Sequence, residues 1–261
     1  MKKKNAVLLS LSVMLVFTTG CFEIDHAITL QKDLSGTADF HLGVDLEPMV
    51  VVMAQMAREM EGKTGPITKA ELDKAKAEFK KSNAEKPSSE KEPSREELEA
   101  SLPEGVKLLD FAVKEREFGV ATDFKFGFDK LTRLVGLKLP SKKGGDPTQK
   151  NVIDSPFEGL ELVEKGDTFT ITTKPQNPQE AVEKQAADAP KMDAATEKLI
   201  KDAFAKMRVT YRITAPFTIV SHNAMRKEGN TLIWEYDMAA FEKMEKSKKL
   251  DDIGVRVTYR K

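Results

Sequence analysis

From Phe118 to Phe128 the chain reads FGVATDFKFGF, and its two sides differ sharply in character. Phe118, Val120, Phe124, Phe126 and Phe128 fall on one side at a spacing of two, with Thr122 the polar exception. Gly119, Ala121, Asp123, Lys125 and Gly127 fall on the other. That alternation describes a strand with one face in a core and one in water. It is the pattern of an antiparallel sheet and excludes an all-helical fold. The sulfur count tightens the constraint. One cysteine in 261 residues permits no disulfide within the chain, so the apolar core must hold the fold. A composition 40% hydrophobic and 32% charged supplies such a core and leaves room for long polar insertions.

Other segments fall into line with this strand. In residues 22–31, Ile24, Ile28 and Leu30 alternate with Glu23, Asp25, Thr29 and Gln31. The Asp- and Gly-bearing turn at 32–36 leads into residues 37–46, with Phe40, Leu42 and Val44 on one face, so a hairpin is expected. Asp45 and Gly62 bracket a predicted helix over 46–61. Its apolar stripe is Met49, Val52, Met53, Met56 and Met60. Residues 61–104 form a charged insertion. Within it Thr68 with Glu71, and Ser94 with Glu97, have the capping-box spacing and open helices near 68–82 and 94–101, around a solvated stretch at 83–94.

Further strands are expected at 106–115, 159–163, 168–173, 208–214, 217–220, 231–236 and 255–260. A helix is expected over 193–207, with short helices at 129–137 and 238–246. Residues 140–156 and 174–193 read as linker-like loops. The pentapeptide RVTYR occurs at 208–212 and again at 256–260, as two strands with Val and Tyr inward. The expected class is α+β: an antiparallel sheet built from hairpins, with helices packed on one face and the charged, partly helical insertion. Residues 21–261 are expected to make a single domain.

The single thiol has its own context. Lys2, Lys3 and Lys4 precede an uncharged stretch over 6–20 that ends in small residues, which is the layout of a secretory signal peptide over residues 1–20. That stretch is shorter than the ~20 residues a membrane span needs. The junction TTGC resembles the lipobox of bacterial lipoprotein precursors. Cleavage between Gly20 and Cys21 then makes Cys21 the acylated first residue, although Thr18 stands where Leu is usual. An exported protein with one free thiol would carry an oxidisable group, and acylation removes it. Each buried CH₂ of an acyl chain contributes about 0.8 kcal/mol, and two chains anchor stably. Phe22, in place of Asp beside the cysteine, points to the outer membrane. No flexible tether separates Cys21 from the first strand, so the domain is expected to lie against the bilayer.

Lys+Arg and Asp+Glu both number 42. Loss of the three signal lysines leaves a small acidic excess, which gives no invitation to nucleic acid. The sequence contains no G-x-S-x-G, H-E-x-x-H, Walker, dinucleotide or EF-hand pattern, so no cofactor, metal or catalytic residue is assigned. His26 and His41 lie on facing strands of the first hairpin, where a metal pair competes with two ordinary hydrogen-bonded histidines. Ser221-His222-Asn223 cannot form a triad on one strand and reads as an Asn-capped turn. A candidate apolar pocket is Met49, Met53, Met56 and Met60 against Phe124, Phe126 and Phe128, with a dry core as the competing account.

Two regions carry a family resemblance. Cys21–Leu46, CFEIDHAITLQKDLSGTADFHLGVDL, runs a cysteine straight into a hairpin with a D-x-S-G turn. Tyr211–Asp237, YRITAPFTIVSHNAMRKEGNTLIWEYD, places a strand end at Pro216, then Asn223, Gly229-Asn230-Thr231 and Trp234. Together they resemble the LppM-type bacterial lipoproteins. Phe217 departs from the Gly that often follows the proline in that family, and the C-terminal transmembrane helix of several members has no counterpart here. The resemblance implies a compact α+β domain outside the cytoplasmic membrane, with lipid or glycolipid as its ligand class and no catalytic residues. Three functions therefore stand as expectations: a lipid-anchored, non-catalytic binding or structural module; a scaffolding lipoprotein contacting a protein through 61–104; and an envelope hydrolase.

Overall fold

The structure is a computed structural model that describes residues 21–84, 94–135, 137–139, 157, 159–173, 198, 202, 205–240, 243 and 254–261. The expected signal peptide at 1–20, both linker-like loops, most of the solvated stretch and most of the helix over 193–207 lie outside them. No helix among the described residues is long and apolar enough to cross a membrane.

Among the described residues, eleven strands form two sheets. β1 (Cys21–Leu30) and β2 (Gly36–Asp45) make the expected hairpin. Its ladder runs from Cys21 opposite Asp45 to Leu30 opposite Gly36. The turn is held by Asp33, whose Oδ1 accepts from the Ser35 N–H at 3.0 Å and from the Ser35 hydroxyl at 2.6 Å. Leu34 sits there at φ 64°, so these side-chain bonds hold a conformation usually left to glycine. β3 (Val106–Arg116) and β4 (Gly119–Phe128) form the next hairpin, and β4 pairs with β2. A bulge between Leu108 and Asp110 interrupts the β3–β4 register.

The larger sheet continues through β7 (Arg208–Thr214), β10 (Thr231–Asp237) and β9 (Arg226–Glu228), in the order β3-β4-β2-β1-β7-β10-β9. The second sheet is β5 (Leu160–Lys165), β6 (Thr168–Thr173), β11 (Arg256–Arg260) and β8 (Thr218–His222), in the order β5-β6-β11-β8. The α+β class holds with mostly antiparallel pairing. Sequence periodicity did not reveal the second sheet, the parallel β1–β7 pair or the short β9.

The core lies between the sheets. Ile28, Phe40, Phe124, Phe126, Ile213 and Trp234 of the larger sheet join Phe169, Ile171, Val257 and Tyr259 of the smaller in one apolar cluster. The two RVTYR copies are interior strands of different sheets, and Val209, Val257 and Tyr259 are buried in that same core. Leu131, Leu134, Leu137 and Leu139 fill it from the segment after β4, where a single 3-10 turn, Leu131–Arg133, stands in place of the expected helix.

α1 (Glu47–Met60) begins one residue later than expected, and Asp45 Oδ1 accepts from the Glu47 N–H at 2.9 Å. Both capping boxes form. Thr68 and Glu71 bond reciprocally before α2 (Lys69–Ala84), and Ser94 and Glu97 before α3 (Arg95–Ser101). α3 belongs to the fold despite its place in the charged insertion, because Leu98 is buried in the central core.

Candidate functional site

The period of two that buries one face of the larger sheet turns the other face outward with its charges aligned. Register places Asp25 beside His41 and His41 beside Asp123. One step along, Ala27, Asp39, Lys125 and Asp110 make a second row, with Arg212 beside Ala27. Together these residues line an open groove of about 310 Å³ on this face. Ala27 keeps its floor low, and the β3 bulge turns Asp110 to its rim, as bulges near sites commonly do.

The charges are paired across strands. His41 Nδ1 donates to Asp123 Oδ1 at 2.5 Å, and Lys114 Nζ to Asp123 Oδ2 at 3.0 Å. Lys125 Nζ lies 3.2 Å from Asp39 Oδ1. Burial pushes the Asp123 carboxyl up, but the bonds from His41 and Lys114 outweigh it and hold the group below its ordinary value. Asp25 is different. Its Oδ1 is buried with Arg212 Nη2 3.3 Å away, yet out of line for a hydrogen bond, so an acceptor is left open. Four carboxylates against Lys125 and Arg212 leave the lining acidic.

Such a lining can ion-pair and hydrogen-bond a polar or cationic group. His41 and Asp123 have the geometry of a base and its orienting carboxylate, but the groove lining contains no hydroxyl or thiol to activate. Among the described residues no cluster of three His, Cys, Asp or Glu is arranged to hold a metal ion. His26 cannot join His41 in a pair, because its ladder partner is Phe40 and it faces the core.

The residues of the candidate apolar pocket are not brought together. Phe124, Phe126 and Phe128 are packed in the central cluster. Met49 is buried outside that cluster, beside Val50, Val52 and Gln55. Met53 and Met56 are half-buried, and Met60 is 57% exposed. The reason lies in the helix end, which is held by polar contacts. Arg58 donates to Glu71 and to the Thr64 carbonyl, and Gln55 to Glu59, so the surface at the helix end is polar. Cys21 is the first residue of β1, paired opposite Asp45; Gly20 lies outside the described residues.

Asp25, Asp39 and Arg212 were not singled out from sequence, and His41 only as half of a metal pair with His26. Strand parity alone puts Asp123 and Lys125 outward, but only the β1–β7 pairing shows that Arg212 reaches the same groove.

No family model matches this chain, and no curated protein matches it. Among solved structures, the folded domain of the Mycobacterium tuberculosis LppM protein, determined by NMR, is similar at 10% identity and a TM-score of 0.43, over 94% of this chain and 92% of that one.

Proposed function

We propose that this protein is a lipid-anchored module of the cell envelope that works at the membrane surface by binding and without catalysis. One observation carries the proposal. The residue that follows the lipobox-like TTG is itself the first residue of the sheet, with Cys21 already in register opposite Asp45. A cysteine in that position has no tether to be part of, and acylation there joins the bilayer directly to the fold. The binding surface is the charged groove. Phe124, Phe126 and Phe128 are packed in the central cluster, and it is the groove that suits the polar or cationic part of an envelope lipid, glycolipid or other ligand.

A second proposal, docking of a protein partner, is favoured by the outward face of α2. There Asp73, Lys74, Glu78 and Lys80 are exposed and alternate in sign. The anchor is tested by Cys21→Ala in the exporting cell. The wild-type chain should incorporate labelled palmitate and sediment with membranes, while the variant is unlabelled and released. Retention of Cys21→Ala in the membrane pellet refutes the proposal.

A further inference from the structure

Resting on the lipid-anchor proposal, we infer that the larger sheet stands end-on upon the bilayer, with Arg116 and Arg208 on the phosphates of the lipid headgroups. The register defines the edge. Cys21 pairs with Asp45, Asp45 with Gly119 and Gly119 with Arg116, so one row crosses β1, β2, β4 and β3 at a single end of the sheet. Strands lie about 4.8 Å apart, which puts Arg116 about 15 Å from Cys21 along that row. On the other side β7 enters with Arg208 opposite Glu23. An acylated Cys21 holds its own end of this edge at headgroup level, because no residue intervenes between anchor and ladder, and Arg116 on phosphate keeps the far end of the row down. The β1–β2 turn at the opposite end is ten residues away, about 30 Å at the rise of a strand.

The edge is furnished for phosphate. Most of its cations are committed: Lys76 pairs with Glu47 and Lys80 with Glu117. Arg116 is exposed and makes no ion pair among the described residues. Its guanidinium lies over Gly43, with Nη1 3.4 Å from where a Cβ would stand. Arg208 pairs with Glu23, whose carboxyl that bond holds below its ordinary value. A guanidinium has five donors, and one carboxylate leaves several for a second anion. Planar forks of this kind take phosphate oxygens two at a time. The arrangement also directs the groove sideways, parallel to the membrane surface and about 13–20 Å above the anchored edge.

The test uses the acylated full chain, in which Cys21 is blocked and one new thiol can be labelled. Glu117→Cys marks the bilayer edge and Lys32→Cys the opposite turn; both sites are exposed, and losing the surface Lys80 pair costs little. Each labelled protein is reconstituted in phosphatidylcholine vesicles with and without a headgroup-linked quencher. Flotation is scored first. Protein that fails to float refutes the anchor and this inference with it. For protein that floats, quenching at position 117 should be several-fold stronger than at position 32. Equal or reversed quenching in floating protein overturns the orientation and leaves the anchor standing. In the Arg116→Gln background, flotation should persist while quenching at 117 falls towards that at 32; unchanged quenching removes Arg116 from the contact.

Discussion

His26 sits on the apolar side of β1, ringed by Phe40, Phe157 and Tyr211, with its ring stacked on Tyr211 at 4.8 Å between centroids. Burial penalises its charged form and holds the imidazole at about 3, against an ordinary 6.5. Between those values the unfolded chain binds a proton that the native state refuses. Stability is therefore complete above about 6.5 and falls as pH drops towards 3. Urea midpoints should decline from pH 6.5 to 5.5, above the range of the carboxylates, and His26→Phe should flatten that decline. An equally steep decline in the variant would show that other groups set it. Asn223 acts by hydrogen bonding instead. Its Oδ1 accepts from Trp234 Nε1 at 2.7 Å and from the Arg256 N–H at 2.8 Å, and its Nδ2 donates to the Gly254 carbonyl at 2.9 Å. The Trp234 side chain is fully buried, so Asn223→Ala leaves its indole N–H without a partner, at a cost of about 1–3 kcal/mol. His222→Ala, one residue earlier and exposed, should shift the midpoint by less than about 0.5 kcal/mol. Equal shifts would deny Asn223 its place between the sheets.

Among the elements, β2 and β4 show how small residues close a ladder. Their register ends at Gly36 opposite Phe128 and at Asp45 opposite Gly119. A Cβ on Gly119 would fall 1.9 Å from the Val44 carbonyl oxygen, and one on Gly36 at the same distance from that of Thr29. Backbone cannot yield as a side-chain tip can, so Gly119→Ala should cost about 1–3 kcal/mol. Gly127→Ala should be nearly neutral, since the atoms nearest a Cβ there belong to the exposed Leu109 side chain, at 3.4 Å or more. Comparable losses at both positions, read by thermal unfolding, would locate the constraint elsewhere. These elements were also the legible ones. The β1–β2 hairpin, the β4 alternation and both capping boxes are set by residues close in sequence, and each appears within a residue or two of its expected place. The methionine stripe was misjudged at its end, because helical spacing shows which residues share a face and not how far the facing surface extends. Met60 lies past the point where Arg58 and Glu71 make the contact polar.

At the scale of the whole molecule, sequence stops short for a related reason. A period of two says that a strand has one buried face, and β6 and β11 show it as plainly as β1 does, but nothing local assigns a strand to a sheet. β1 meets β7 across more of the chain than any periodicity spans, and that pairing is what brings Arg212 to Asp25. After β7 the chain crosses to the smaller sheet for β8, returns for β9 and β10, and crosses again for β11. At those crossings Asn223 bonds Trp234 to Gly254 and Arg256, and the Tyr236 hydroxyl accepts from the Gly254 N–H at 3.0 Å. Two sheets stitched this way and sharing one core should unfold together. Phe169 is fully buried in the smaller sheet, against Phe217 and Tyr259. Phe169→Ala should cost about 3–5 kcal/mol. By hydrogen exchange, the slowest amides of β1 and β2, in the other sheet, should lose as much protection as those of β6 and β11. Loss confined to β5, β6, β8 and β11 would mean two separately stable layers. The crossings argue against that outcome, since β8 and β11 cannot leave their positions without freeing Asn223, and with it the indole of a buried strand in the larger sheet.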